Sequence, residues 1–205
     1  MEDKIQEPQK IDRLDLEKYG LLYLKGRNIL DLTSSDMDKL LNALGNDDIS
    51  VNVPIPFTPD NVEGVLSYSE CRRCGKCCLP NPLNPGSPGV EVLEDELKLI
   101  ANHLHLPYET LEEKTFKGKN LNSPHQSNHV ASTRRLSLPC PFYEEKTNEC
   151  RVYSVRPVVC TIYPIIFGEN KTYIDIKVNC DYGKDLAISA LRYLRTNNPN
   201  LVLKI

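Results

Sequence analysis

Four thiols stand within one stretch of eight residues, Cys71-Arg72-Arg73-Cys74-Gly75-Lys76-Cys77-Cys78, and four more follow at Cys140, Cys150, Cys160 and Cys180. A Cys-x-x-Cys pair places two sulfurs on a tight turn, where both reach one metal ion, and Gly75 lets the backbone turn left-handed between ligands. Thiolates select zinc, iron–sulfur clusters or copper(I) over hard cations. Zinc takes four tetrahedral ligands, and an iron–sulfur cluster also takes four cysteines. Eight sulfurs therefore suffice for two four-cysteine sites, or for one polynuclear cluster with extra ligands. Neighbouring side chains tend to diverge, so the adjacent Cys77 and Cys78 are expected to serve different metals; the sequence leaves the partition open. Cys71-x2-Cys74-x2-Cys77 with the remote Cys140-Pro141 parallels the ferredoxin arrangement of three close cysteines and a Cys-Pro. That parallel, and motifs without a histidine, favour an iron–sulfur centre, with zinc as the alternative.

Arg72, Arg73, Lys76, Arg151 and Arg156 flank the thiols. They are available to offset the −2 charge that four thiolates leave on one divalent ion. His103 and His105 fall near a helix end, and His125 and His129 in a polar loop. All four read as surface histidines, because eight thiols already suffice for ligation.

The rest of the composition narrows the classes. The 205 residues are 40% hydrophobic and 26% charged, as in a globular domain, and the net charge of −3 supplies no field for nucleic acid or a membrane surface. The N-terminus shows no secretory signal and no apolar run reaches the roughly 20 residues that cross a bilayer. A cytoplasmic protein with reduced thiols is expected, which favours metal over a disulfide framework. No Gly-rich nucleotide loop is present.

The elements that must position the cysteines are short. Leu21–Leu24 and Asn28–Leu32 read as strands around a turn at Gly26. A helix from Ser34 to Leu44 follows, with Thr33 and Asp36 as a capping box, Met37, Leu40, Leu41 and Leu44 on one face, and Gly45 as its stop. Ile49 to Phe57 alternates as a strand, which Pro54 and Pro56 confine to an edge. After a Pro/Gly loop at 79–90, helices are expected at Glu91–Leu104 and Tyr108–Phe116, then a polar excursion over 117–135. Ile165–Phe167 and Thr172–Ile176 read as a β-hairpin, Asp185–Arg195 as a helix, and Leu201–Ile205 as a last strand.

Four motifs in order carry a resemblance: Cys71-x-x-Cys74-Gly75-x-Cys77-Cys78, Cys140-Pro141-Phe142, Cys150-x-Val152-Tyr153-x-x-Arg156-Pro157-x-x-Cys160 with Tyr163-Pro164, and a final Cys180. Over residues 68–182 the chain resembles the YkgJ-type cysteine-cluster family, a zinc- or iron-chelating domain. Val152 stands where that pattern has Ile, Thr161 where it has Arg, and Tyr163 where it has Phe. The resemblance implies metal or iron–sulfur binding with all eight cysteines as ligands. It leaves the reaction open, since a related domain occurs in flagellin lysine N-methylases. Arg156-Pro157 is expected to fix a bend, its guanidinium bonding carbonyls or a carboxylate, while Tyr153 and Tyr163 pack beside the sulfurs.

The expected architecture is α+β: an irregular cysteine-rich metal-binding domain over 66–205 with short helices and a β-hairpin, plus a small N-terminal α/β lobe over 1–65. The expected function is a metal-cluster protein, redox or supporting catalysis. A zinc-stapled, non-catalytic interaction module and a lysine N-methylase-like enzyme are the alternatives, and whether the chain is an enzyme stays open. The implied partners are the metal ion or cluster and a protein engaged through the N-terminal lobe, with no nucleic acid and no membrane.

Overall fold

The computed structural model describes residues 13–82, 89–122, 130–167 and 172–205. In chain order, two single-turn 3-10 helices at Leu22–Leu24 and Ile29–Asp31 precede α1 (Ser34–Asn46), β1 (Ser50–Pro56) and α2 (Pro59–Leu66). A third such turn at Lys76–Cys78 leads to β2 (Val90–Leu93), α3 (Glu94–His103), α4 (Tyr108–Glu112), β3 (Thr115–Asn122) and β4 (Val130–Leu136). Then come β5 (Tyr143–Glu144), β6 (Glu149–Cys150), a 3-10 turn at Tyr153–Val155, α5 (Val158–Ile162), β7 (Ile165–Phe167), β8 (Tyr173–Lys177) and α6 (Asp181–Asn197). The fold class is α+β, as expected. Among the described residues, those up to Arg72 and from Pro164 onward form one unit, and those from Arg73 to Tyr163 form the other.

The first unit is built on an antiparallel sheet in the order β1-β8-β7. Its central strand pairs Ile176 with Val51 and Ile165, and Ile174 with Val53 and Phe167. Alternation puts Val51, Val53, Ile174 and Ile176 inside, where α1 contributes Leu40, Leu41 and Leu44 and α6 contributes Leu186, Ala190 and Leu191. Pro54 and Pro56 lie on β1, an edge strand, where a missing N–H leaves no ladder bond unmade. The boundary drawn at 65/66 therefore passes between two strands of one sheet, β1 and β8.

Several local expectations change here. Leu22–Leu24 and Ile29–Asp31 are helical turns, not strands. Leu21, Leu24 and Ile29 are buried, and the Asn28 side chain accepts the Leu30 N–H at 3.3 Å, closing the turn locally. Gly45 does not stop α1; it lies inside the helix, where an added Cβ would come 2.5 Å from the Val178 carbonyl oxygen. The tail near Ile205 makes single backbone bonds to Gly26, Arg27 and Ile29 rather than a strand. Helix α2 was not anticipated, although Thr58 caps it and Pro59 opens it.

The second unit has its own core of Val92, Leu97, Ile100, Ala101, Leu111, Leu136, Phe142 and Val152. Its three-stranded sheet runs β2-β4-β3. The helix expected from Glu91 starts later, because Val90–Leu93 pairs with β4 and the Glu96 carboxylate then caps α3 by accepting the Leu93 N–H at 2.8 Å. The polar stretch after Phe116 pairs as β3 and β4, with Arg134 threaded onto Glu112 and Thr115. Its connection, with His125 and His129, lies outside the described residues, as does the Gly168–Asn170 turn of the β7–β8 hairpin.

Candidate metal centre

Gly75 sets the geometry of the cysteine run. Its φ of +73° is left-handed, and an added Cβ there would collide with the Tyr143 hydroxyl and ring. The chain turns at Gly75 into the single helical turn carrying Lys76, Cys77 and Cys78, closed by the Cys78 N–H on the Gly75 carbonyl at 2.8 Å. Contrary to expectation, Cys77 and Cys78 do not diverge: a helical turn replaces the extended backbone, and their Sγ atoms lie 3.9 Å apart.

The Cys-Pro segment is bonded to this turn. Cys140 donates its backbone N–H to the Cys78 carbonyl at 2.7 Å, and the Cys78 thiol also hydrogen-bonds the Cys140 sulfur. The Tyr143 N–H then donates to the Cys140 carbonyl at 3.1 Å. Phe142 is buried in the core of this unit, so the segment holding Cys140 is anchored by apolar packing. Cys150 follows on β6, opposite Tyr143 on β5, and its sulfur receives the Val152 N–H. Cys160 sits on α5, whose first N–H, from Val158, donates to the Glu96 carboxylate at 2.7 Å.

The electrostatics fit a cluster of thiols around Cys78. The hydrogen bond from Cys78 holds the Cys77 thiol down to about 7, and the same donor holds Cys140 down to about 7. Donation to both, with burial added, pushes Cys78 up. Burial pushes Cys160 up to about 12 and raises Cys150, with the charges of Cys140 and Cys77 acting on both. Within the second unit Cys77 and Cys140 thus act on Cys78 on one side and on Cys150 and Cys160 on the other. Cys74, just before the Lys76–Cys78 turn, is exposed, and its charge is felt with those of Cys77 and Cys78 at the Tyr143 hydroxyl.

Cys71 and Cys180 belong to the first unit. Cys180 is 4% exposed and caps α6, its sulfur accepting the Gly183 N–H at 3.4 Å. The residues around Cys71 bind the first turns of that same helix: Arg72 reaches Asp185 at 2.6 Å and Asp181 at 3.5 Å, and the Ser69 hydroxyl reaches Asp185 at 3.3 Å.

The charged residues divide by role. Arg73 and Arg156 both lie over one ring: their guanidinium carbons are 4.3 Å and 4.2 Å from the Tyr153 centroid. The sequence placed Arg156 and Tyr153 beside the sulfurs but missed that they contact each other and Arg73. The signal was the Tyr-x-x-Arg spacing, which brings the two together across one 3-10 turn.

The residues present suit a thiophilic metal by donor chemistry: an all-sulfur set, with the Gly183 N–H donating to the Cys180 sulfur, a bond that stabilises thiolate charge. Among the described residues, no three Cys, His, Asp or Glu side chains already stand as a closed metal site. Binding would draw the thiols into a shell and displace their protons. No helix among the described residues is long and apolar enough to cross a membrane.

A family described as "Putative zinc- or iron-chelating domain", with the pattern CxxCxxCC, matches residues 70–181. The chain is also similar to the uncharacterized protein MJ0661 of Methanocaldococcus jannaschii, at 24% identity over 94 residues, which is 46% of this chain and 43% of that protein. The chain thus spans less than half the length of that relative. No solved structure matches it. The family match takes in all eight cysteines, from Cys71 to Cys180, and more than half of the 205 residues, and the chain belongs to this family of zinc- or iron-chelating domains.

Proposed function

We propose that the protein is a thiolate-ligated metal-cluster protein whose centre is an iron–sulfur cluster, serving electron transfer or supporting catalysis, with its ligands drawn from Cys71, Cys74, Cys77, Cys78, Cys140, Cys150, Cys160 and Cys180. The observation that carries this reading is the meeting of the four-thiol run with the remote Cys-Pro: the Cys77 and Cys78 sulfurs lie 3.9 Å apart, and the Cys140 N–H donates to the Cys78 carbonyl at 2.7 Å. Eight cysteines exceed the four that a single tetrahedral zinc takes. A polynuclear centre uses such a surplus, because its several metal atoms each need outer ligands. When bound, a cluster supplies a site that accepts and returns one electron. The chain's own residues position sulfur, exclude water at the Phe142 and Val152 side and donate N–H groups to the thiolates.

The test is anaerobic purification followed by iron, zinc and acid-labile sulfide analysis with a visible spectrum. Iron with matching sulfide and a brown colour is the expected result. Zinc without sulfide in a colourless protein would replace the cluster by a zinc-stapled module.

A further inference from the structure

We propose that Tyr153, with the two arginines stacked on it, is the positioning device for Cys74 and places positive charge beside the thiolate centre. The inference rests on the metal reading above and assigns these side chains a role in holding the metal.

Cys74 stands between two residues of left-handed backbone, Arg73 at φ +52° and Gly75 at φ +73°. Gly75 adopts this conformation freely, but Arg73 carries a Cβ and does not. An unfavourable backbone persists where surrounding contacts fix it. The contact on offer is the Tyr153 ring, over which the Arg73 guanidinium lies at 4.3 Å, although Arg73 is otherwise exposed. Turning Arg73 left-handed and Gly75 likewise reverses the chain on both sides of Cys74, so the direction of its side chain depends on both residues.

Arg156 completes the stack at 4.2 Å. Arg73 directly precedes Cys74 and Arg156 stands four residues before Cys160, so both cations are carried on ligand segments. Two guanidiniums stacked against one ring would repel each other in isolation. A concentration of negative sulfur beside them removes that conflict, and the ring quadrupole attracts both. Pro157 follows Arg156 directly and opens α5, which carries Cys160, so the stack is tied to a third ligand segment. Arginine suits this better than lysine because its planar group stacks while its edge stays free to interact.

The experiment uses the full chain, reconstituted anaerobically with iron(II) and sulfide, and in parallel with zinc(II) alone. Retention is measured against a competing chelator, with the reduction potential where a cluster forms. Tyr153→Phe keeps the ring and should hold metal within about twofold of wild type. Tyr153→Leu and Arg73→Gly should each weaken retention about 10- to 100-fold, the range for residues that orient ligands. Arg156→Gln should shift the potential to more negative values, since a cation that favours the reduced cluster is gone. Arg73→Gly separates the readings most sharply, because it relieves the left-handed backbone while removing the stack. If that variant holds metal as tightly as wild type, or more tightly, the proposal is overturned. An unchanged Tyr153→Leu overturns it too, and should that variant fail to fold, the exposed Arg73 position still decides. A wild-type chain that takes up neither metal would defeat the metal reading itself, and this proposal with it.

Discussion

The backbone N–H of Cys140 donates to the carbonyl of Cys78 at 2.7 Å, so the four-thiol run and the remote Cys-Pro are joined through main chain. A main-chain bond survives loss of either side chain. It sets where the sulfurs are delivered, with the Cys77 and Cys78 sulfurs 3.9 Å apart on the turn it holds.

Adjacent thiols normally suggest two destinations, but the 3.9 Å separation of the Cys77 and Cys78 sulfurs places both in one group. Cys77→Ser and Cys78→Ser are therefore expected to remove the same fraction of metal and sulfide, and the double variant no more than either alone. Metal analysis of the three proteins checks this. Losses that add would show two separate centres.

Gly75→Ala should be among the most damaging single-methyl changes. The left-handed backbone alone costs about 1–2 kcal/mol with a Cβ, and the methyl would also strike the Tyr143 ring. Tyr143→Phe removes only the hydroxyl, which donates to Asn148 at 2.8 Å on the protein surface, and should change stability little. Thermal unfolding of both variants is the measurement. Equal midpoints would mean that the Gly75 turn does not constrain the fold.

Much of the site was legible because its signals are local. Cys-x-x-Cys with Gly75 specified a left-handed turn, and Thr33 with Asp36 specified the start of α1. The edge position of β1 followed from Pro54 and Pro56. What was hidden depended on partners distant in sequence. Leu22–Leu24 has the composition of a strand, yet burial at Leu21 and Leu24, three residues apart, suits a helical turn. The polar residues of β3 and β4 carry no apolar alternation, and only pairing with each other and with β2 makes them strands. The Arg73–Tyr153 stack joins positions too far apart in sequence for spacing to reveal.

The first unit should lose stability in acid through Asp36. The Tyr23 hydroxyl donates to this carboxylate at 2.8 Å and the Thr33 hydroxyl at 2.9 Å, and these bonds hold its pKa below the usual carboxylate range. The unfolded chain then takes up the proton more readily than the folded one. The contribution is complete above the unfolded carboxylate range and disappears as pH falls through the depressed folded value. Tyr23→Phe should therefore be less stable than wild type at neutral pH, and the two melting curves should converge in acid. A gap that stays constant down to low pH would remove Asp36 as its source.

Metal removal should affect the two units unequally. The second unit brings its thiols from the Cys74–Cys78 turn, from Cys140 and Cys150, and from α5. Closing loops of that length opposes folding. Its buried core is small, and Cys140 and Cys150 pack at its margin, so bound metal would contribute directly to its folding free energy. The first unit instead has a three-stranded sheet covered by α1 and α6, with Leu24, Ile29, Leu40, Leu41, Leu44, Ile174, Ile176 and Leu186 fully buried. Chelation is therefore expected to lower amide-exchange protection in β2, β4 and α3 while β1, β8 and α6 stay protected. Hydrogen exchange of the loaded and chelated proteins, followed peptide by peptide, reads this directly. Uniform loss across both units would mean that metal holds the whole chain. No change in the second unit would mean that Val92, Leu97 and Phe142 suffice without it.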